Sequence, residues 1–215
     1  VFTSVDTNGG VTEVVATHVG ITGSALVTVV YSENVFSDGL DESVADAFET
    51  ADVSDDPTVT IDYPLDGVTV PRNLSGLAFI WTDPQSNNNS VSRIRFLSDI
   101  TDVSVYTSSN TWDATSELWE MISAANRQGE VEVFLEVGNW SGGEISNVRR
   151  SESLLLEVNR LDARGSVLYW STINEAIMRI PFGSTETIEF WGPEDTDNQC
   201  TGCHSVPVES ADRLV

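Results

Sequence analysis

Lysine is absent from this chain, and its ten basic residues are all arginine. Against them stand 34 acidic residues, giving a formal net charge of −24. A surface of that sign repels nucleic-acid phosphates and anionic lipid headgroups, so neither is expected as a partner. It attracts a basic protein partner, with an association rate that falls as salt rises. Adaptation to a salty milieu, or plain solubility, accounts for the same charge. Long hydrophobic runs are missing too. The apolar stretches are short, as at Leu154-Leu155-Leu156, where a membrane-spanning helix needs roughly 20 residues. The sequence therefore predicts no transmembrane segment. Val1 opens the chain without methionine, basic stretch or apolar leader. Either a signal peptide has been removed or, the preferred expectation, the sequence is a piece of a longer one whose first residues are the tail of a domain.

Cysteine is scarce, with Cys200 and Cys203 the two in the chain, three positions apart. A disulfide-stapled fold needs cysteines spread along the sequence, so that class is excluded and the pair is local chemistry. Histidine and methionine are equally rare, as His18, His204, Met121 and Met178. Neither G-x-S-x-G nor H-E-x-x-H occurs, and no nucleophile–base pairing is apparent, so the chain is not expected to be an enzyme. Glu132 and Glu136 alternate along one strand and are expected to face solvent.

What is present is a long series of β signals. The hydrophobic content of 40% suits a packed core. Residues 1–31 contain two β-branched runs, Val11–Val19 and Gly23–Tyr31, broken at glycine. Two or three strands cannot close a core alone, so they must pair with something else. Residues 32–57 carry Asp38, Asp41, Glu42, Asp46, Glu49, Asp52, Asp55 and Asp56 with no basic residue. This predicts a solvated acidic linker, with one short helix around Glu42–Thr50. From Thr58 to Trp191 strand-like runs recur every 8–12 residues or so, which predicts an all-β sandwich. One short helix interrupts it at Thr115–Asn126, where Leu118, Trp119, Ile122 and Ala125 share a stripe. The six tryptophans, Trp81, Trp112, Trp119, Trp140, Trp170 and Trp191, are expected to pack in the core and on the sheets rather than to line a sugar groove.

The chemistry-bearing motif is Cys200-Thr201-Gly202-Cys203-His204. It matches the C-x-x-C-H pattern of haem c attachment. Two thiols at this spacing reach two vinyl groups along one porphyrin edge, and the following imidazole swings under the iron as proximal ligand. Both cysteines of the chain are spent on it. A Cys200–Cys203 redox disulfide remains an alternative, and a zinc site is weaker still, because the pair supplies only two of the four ligands required. The distal haem ligand is either His18 or Met178. Asp195, Asp197 and Asn198 alternate beside the motif but lack the glycine and terminal glutamate of a calcium loop.

Three stretches also resemble a family. Tyr63-Pro64-Leu65-Asp66-Gly67-Val68-Thr69-Val70-Pro71-Arg72-Asn73-Leu74, followed by Phe79-Ile80-Trp81, resembles the opening of a module in predicted bacterial exported lipoproteins. Gly165–Thr172 and Ala176–Ile180 resemble its closing strands, and Cys200–Leu214 is similar to its C-x-x-C-H segment. Gly23–Val29 resembles the last strand of an Ig-like domain. The resemblance implies residues 1–31 as the end of an Ig-like domain, 58–191 as an Ig/fibronectin-like β-sandwich, and 192–215 as a haem c attachment segment. It also implies a periplasmic or cell-surface location in a larger multi-domain or multi-subunit assembly. In that family a β-propeller usually follows, but Pro207 and Ser210-Ala211-Asp212 depart from the pattern that leads into one. The expected function is that of a monohaem electron-transfer protein with a redox protein partner. The competing expectation is a surface adhesion or scaffold module in which the two cysteines form a disulfide.

Overall fold

A computed structural model describes residues 9–195. In chain order the strands and helices are β1 (Gly10–His18), β2 (Ile21–Val29), β3 (Tyr31–Phe36), α1 (Glu42–Thr50), β4 (Val53–Asp55), β5 (Thr60–Tyr63), β6 (Val68–Val70), β7 (Ala78–Thr82), β8 (Ser90–Ser98) and β9 (Thr101–Thr107). They continue as β10 (Thr111–Asp113), α2 (Ser116–Ala125), β11 (Glu130–Ser141), β12 (Glu144–Arg150), β13 (Leu154–Val158), β14 (Ser166–Ser171), β15 (Ala176–Pro181) and β16 (Ile188–Trp191). The chain is thus mostly β, with two short helices.

The large sheet runs β3-β9-β8-β11-β12-β4, and β13 joins it by pairing with β11 and with β6. A smaller sheet, β10-β7-β5, lies against its inner face. Period-two alternation decides which side chains enter the core. From the large sheet these are Ile94 and Phe96, Val103 and Val105, and Val131, Val133, Leu135 and Val137. From the small sheet come Phe79, Trp81 and Trp112, with Phe79 edge-on to Phe96 at 5.2 Å between centroids. Helix α2 closes one side of this core. Thr115 caps it by accepting the Leu118 N–H, and Leu118, Trp119 and Ile122 are the buried stripe.

Residues 32–57 are not a solvated linker. Strand β3 pairs in parallel with β9 at one edge of the large sheet, and β4 pairs in parallel with β12 at the other. Between them α1 lies on the outer face, where Val44, Ala45 and Phe48 pack with Val91, Tyr106 and Val148. The segment is a strap across the sheet. Its acidic residues read as solvation from the sequence, yet three of them hold the strap's turns. Asp38, at φ 57°, accepts from Thr107 Oγ1 and the Ser108 N–H. Asp41 caps α1 by accepting the Ser43 N–H, and Asp56 accepts the Thr58 N–H. These hydrogen bonds hold all three carboxyls below the usual aspartate range.

Strands β1 and β2 form a separate two-stranded sheet paired from Gly10↔Val29 to His18↔Ile21. At its root Gly9 passes so close to the Ile100 carbonyl that a side chain would collide with it. Both faces of this hairpin meet solvent: Val11 is 60% exposed, Ile21 77% and Leu26 76%. A third small sheet, β14-β15-β16, follows the sandwich. Asn73, in the loop after β6, exchanges hydrogen bonds with the carbonyl and N–H of Ala163, in the connection that leads into β14.

Candidate functional site

The outer face of the large sheet carries a buried charge cluster that the alternation argument misplaces. Glu136, expected to face solvent, is fully buried, whereas Glu132 is exposed. Register explains the difference. Glu136 lies directly opposite Arg93 on β8 and Arg150 on β12. One carboxylate oxygen receives Arg93 Nε at 2.6 Å, and the other receives Arg150 Nε and Nη2 at 2.9 and 2.6 Å. Arg93 also reaches Glu49 of α1 at 2.6 Å and lies over the Phe48 ring at 5.0 Å. Burial alone would lower the Arg93 pKa, but the adjoining Glu136 outweighs it and holds it above the usual value. Arg149 makes a separate buried fork with Asp83, at 2.5 and 2.8 Å. These pairs fasten strap, strands and loops together. Among the sequence signals, Arg93 amid Val91, Ile94, Phe96 and Leu97 of one strand points to the Glu136 cluster.

Cys200, Cys203 and His204 lie outside the described residues. The two distal-ligand candidates are placed in different sheets. His18 ends β1, exposed, opposite Ile21. Met178 is buried in β15, and its sulfur lies 3.6 Å from the Asn174 side-chain amide. Of the possible calcium residues, Asp195 is described. It closes a short 3₁₀ turn, Pro193–Asp195, by accepting the Gly192 N–H at 3.0 Å. No cluster of three or more metal-ligating side chains occurs among the described residues. No helix among them is long and apolar enough to cross a membrane.

The element that leads into the motif is β16, and the sheet it completes is unlike the others. Cross-strand pairing puts Trp170, Ile177 and Trp191 in one row, and Leu168, Arg179 and Ile188 in the next row on the same face. Tyr169, Met178 and Glu189 form a row on the opposite face. A register shift between Ile177 and Met178 admits Phe190 as an extra residue, and the Arg179 guanidinium lies 5.9 Å from its ring centroid. Ile188 is 44% and Trp191 36% exposed, and Trp170, Phe190 and Leu168 are half-buried. Trp81, Trp112 and Trp119, by contrast, are core residues as expected. Arg179 Nε donates to Ser166 Oγ at 2.8 Å, and its terminal nitrogens have no partner among the described residues.

A haem c needs two thiols and an axial ligand, with shielding for its macrocycle and cations for its propionates. The donor set of the motif, two thiols and an imidazole, fits the same group. Set against known proteins, the chain matches no family model, no curated protein and no solved structure.

Proposed function

We propose that this chain is a monohaem c-type electron-transfer module of a larger exported assembly, periplasmic or at the cell surface, built on an Ig/fibronectin-like sandwich. The observation that carries the reading is the Cys200-Thr-Gly-Cys203-His204 motif, which uses both cysteines of the chain and one of its two histidines. Attachment is an addition. Each thiol sulfur bonds one carbon of a vinyl group while the thiol hydrogen goes to the other, with no leaving group and no external oxidant. His204 would hold the iron beside the two tethers, and His18 or Met178 would be its further ligand. When bound, the haem iron supplies one-electron redox chemistry. This chain's residues tether it, set its axial ligation and exclude water around it. The net charge of −24 suits a basic redox protein partner.

One observation favours a second reading. The β1–β2 hairpin exposes apolar side chains on both faces, as a module stacked against other β domains does. An adhesion or scaffold module with a Cys200–Cys203 disulfide accommodates this without haem. The two readings part in a reduced pyridine-haemochrome spectrum of chain produced with a c-type maturation system. The electron-transfer reading requires about one haem per chain, and a spectrum without haem bands leaves the scaffold.

A further inference from the structure

Independently of the haem reading, we propose that one end of the sandwich is a binding site for a single neutral sugar unit, held by the Trp81 indole N–H and the Ser92 hydroxyl. The inner face of the large sheet changes character along its strands. On β8 the inward positions run Phe96, Ile94, Ser92 and Ser90, and on β9 they run Val103, Val105 and Thr107. Ser92 lies opposite Thr107 on one side and Val137 on the other, so hydroxyls continue the rows of the apolar core. There a cavity of about 320 Å³ opens between Trp81 of the small sheet, Ser92 and Val137 of the large sheet, and the loops at 83–86 and 108–110.

Polar groups on its floor have nothing to bind. Trp81 and Ser92 are 3% and 4% exposed, and neither the indole N–H nor the Ser92 hydroxyl has a hydrogen-bond partner among the described residues. Side-chain atoms there that are both unbonded and sealed from open space are Arg72 Nε and Arg149 Nε. The Trp81 and Ser92 groups therefore meet open space, and the space that both residues line is this cavity. Polar groups so buried call for a partner. Beside them Ser90 Oγ accepts the Asn87 N–H and keeps its own proton to donate. Charge then selects the class of occupant. Asp83 is the one charged residue lining the cavity among those described, and Arg149 neutralises it through hydrogen bonds at 2.5 and 2.8 Å. What remains is an indole donor among hydroxyls that donate and accept, the complement of a neutral polyol. The Trp81 ring is packed in the core, so it offers its N–H and not a stacking face. The cavity would take roughly ten waters, and its volume falls within the span of about 300–1,000 Å³ of small-molecule sites.

The test is a heteronuclear NMR titration of the full chain that follows its six tryptophan indole signals, assigned sequentially. Methyl glucoside, galactose and N-acetylglucosamine are the neutral probes, with glucuronate and glucosamine as charged controls. The Trp81 signal should shift saturably with at least one neutral sugar, at a Kd of about 1 mM or tighter. The charged controls should bind several-fold more weakly. Ser92→Ala should weaken the neutral sugar several-fold while the Trp112 and Trp119 signals stay in place, reporting an intact core. A Trp81 signal that no neutral sugar moves means that the cavity holds water only, and overturns the proposal. So does a response confined to Trp170 or Trp191, or one that Ser92→Ala leaves unchanged. Charged controls that bind as well as the neutral sugar overturn the neutral class. Haem attachment is decided by its own spectrum, apart from each of these outcomes.

Discussion

Between Ser32 and Pro57 the chain carries nine acidic residues and no basic one, and between Gly10 and Val29 Glu13 is its sole charged residue. Composition alone puts the first segment in solvent and the second in a core. The fold does the reverse. The acidic segment supplies both edge strands of the large sheet and a helix between them, whereas the apolar hairpin stands clear with both faces exposed. The difference lies in what each segment has to pack against. In α1, Val44, Ala45 and Phe48 make a narrow stripe that meets Val91, Tyr106 and Val148, while Glu42 and Asp46 stay outside. The hairpin alternates Val11, Val15 and Leu26 outward with nothing opposite them among the described residues. A few apolar residues in register with a sheet settle burial better than the average polarity of a segment.

That comparison breaks most sharply at Glu136. Replacing it with leucine leaves the Arg93 guanidinium buried without its in-register partner, which should cost about 3–5 kcal/mol in urea unfolding. A loss below about 1 kcal/mol would mean that Arg93 reaches water and the cluster does not hold the outer face.

Phe48→Ala comes next, at about 3 kcal/mol, because it empties the apolar contact between strap and sheet. A neutral result would return residues 32–57 to the status of a linker.

A smaller effect belongs to acid. The Asp38 carboxyl is held low in the folded chain by Thr107 and Ser108, so its stabilisation is present above the ordinary aspartate value and is lost as pH falls through the lowered one. Asp38→Asn should therefore lose less thermal stability than the parent on going from about pH 6 to about pH 3. Equal losses in the two chains would mean that this turn does not contribute.

The smallest effect is expected in the hairpin. Leu26→Ser should change unfolding free energy by less than about 0.5 kcal/mol while reducing self-association, since it removes exposed apolar surface from an unpaired edge. Destabilisation beyond about 1 kcal/mol would show that Leu26 packs against the body of the protein.

Much of this fold was legible in the sequence. The α2 stripe follows from apolar spacing, and both it and the helix at Glu42–Thr50 form where the sequence leads one to expect them. Strands such as β8 and β13 follow from period-two alternation. Four short or polar strands escaped. Strands β3, β4, β10 and β12 contain residues such as Ser32, Glu33, Asn34, Ser54 and Asn147, and are held by pairing, with a distant strand for β3, β4 and β10 and in a hairpin with β11 for β12, rather than by their own preference. Glu136 was misassigned for a related reason. Alternation gives the face a residue is on, but whether that face is covered depends on α1 and on Arg93 and Arg150, the two arginines being 43 and 14 residues away. The candidate site divides in the same way. The C-x-x-C-H motif is a local pattern read directly from residues 200–204, whereas the aromatic face of the last small sheet exists only through the registers of β14, β15 and β16.

Mass spectrometry of the tryptic peptide from Ile180 to Arg213, taken from chain matured with a c-type haem system, bears most directly on the central claim. The account predicts that this peptide carries one haem, bonded through Cys200 and Cys203. The same peptide without a macrocycle, its two sulfurs joined to each other, would contradict it.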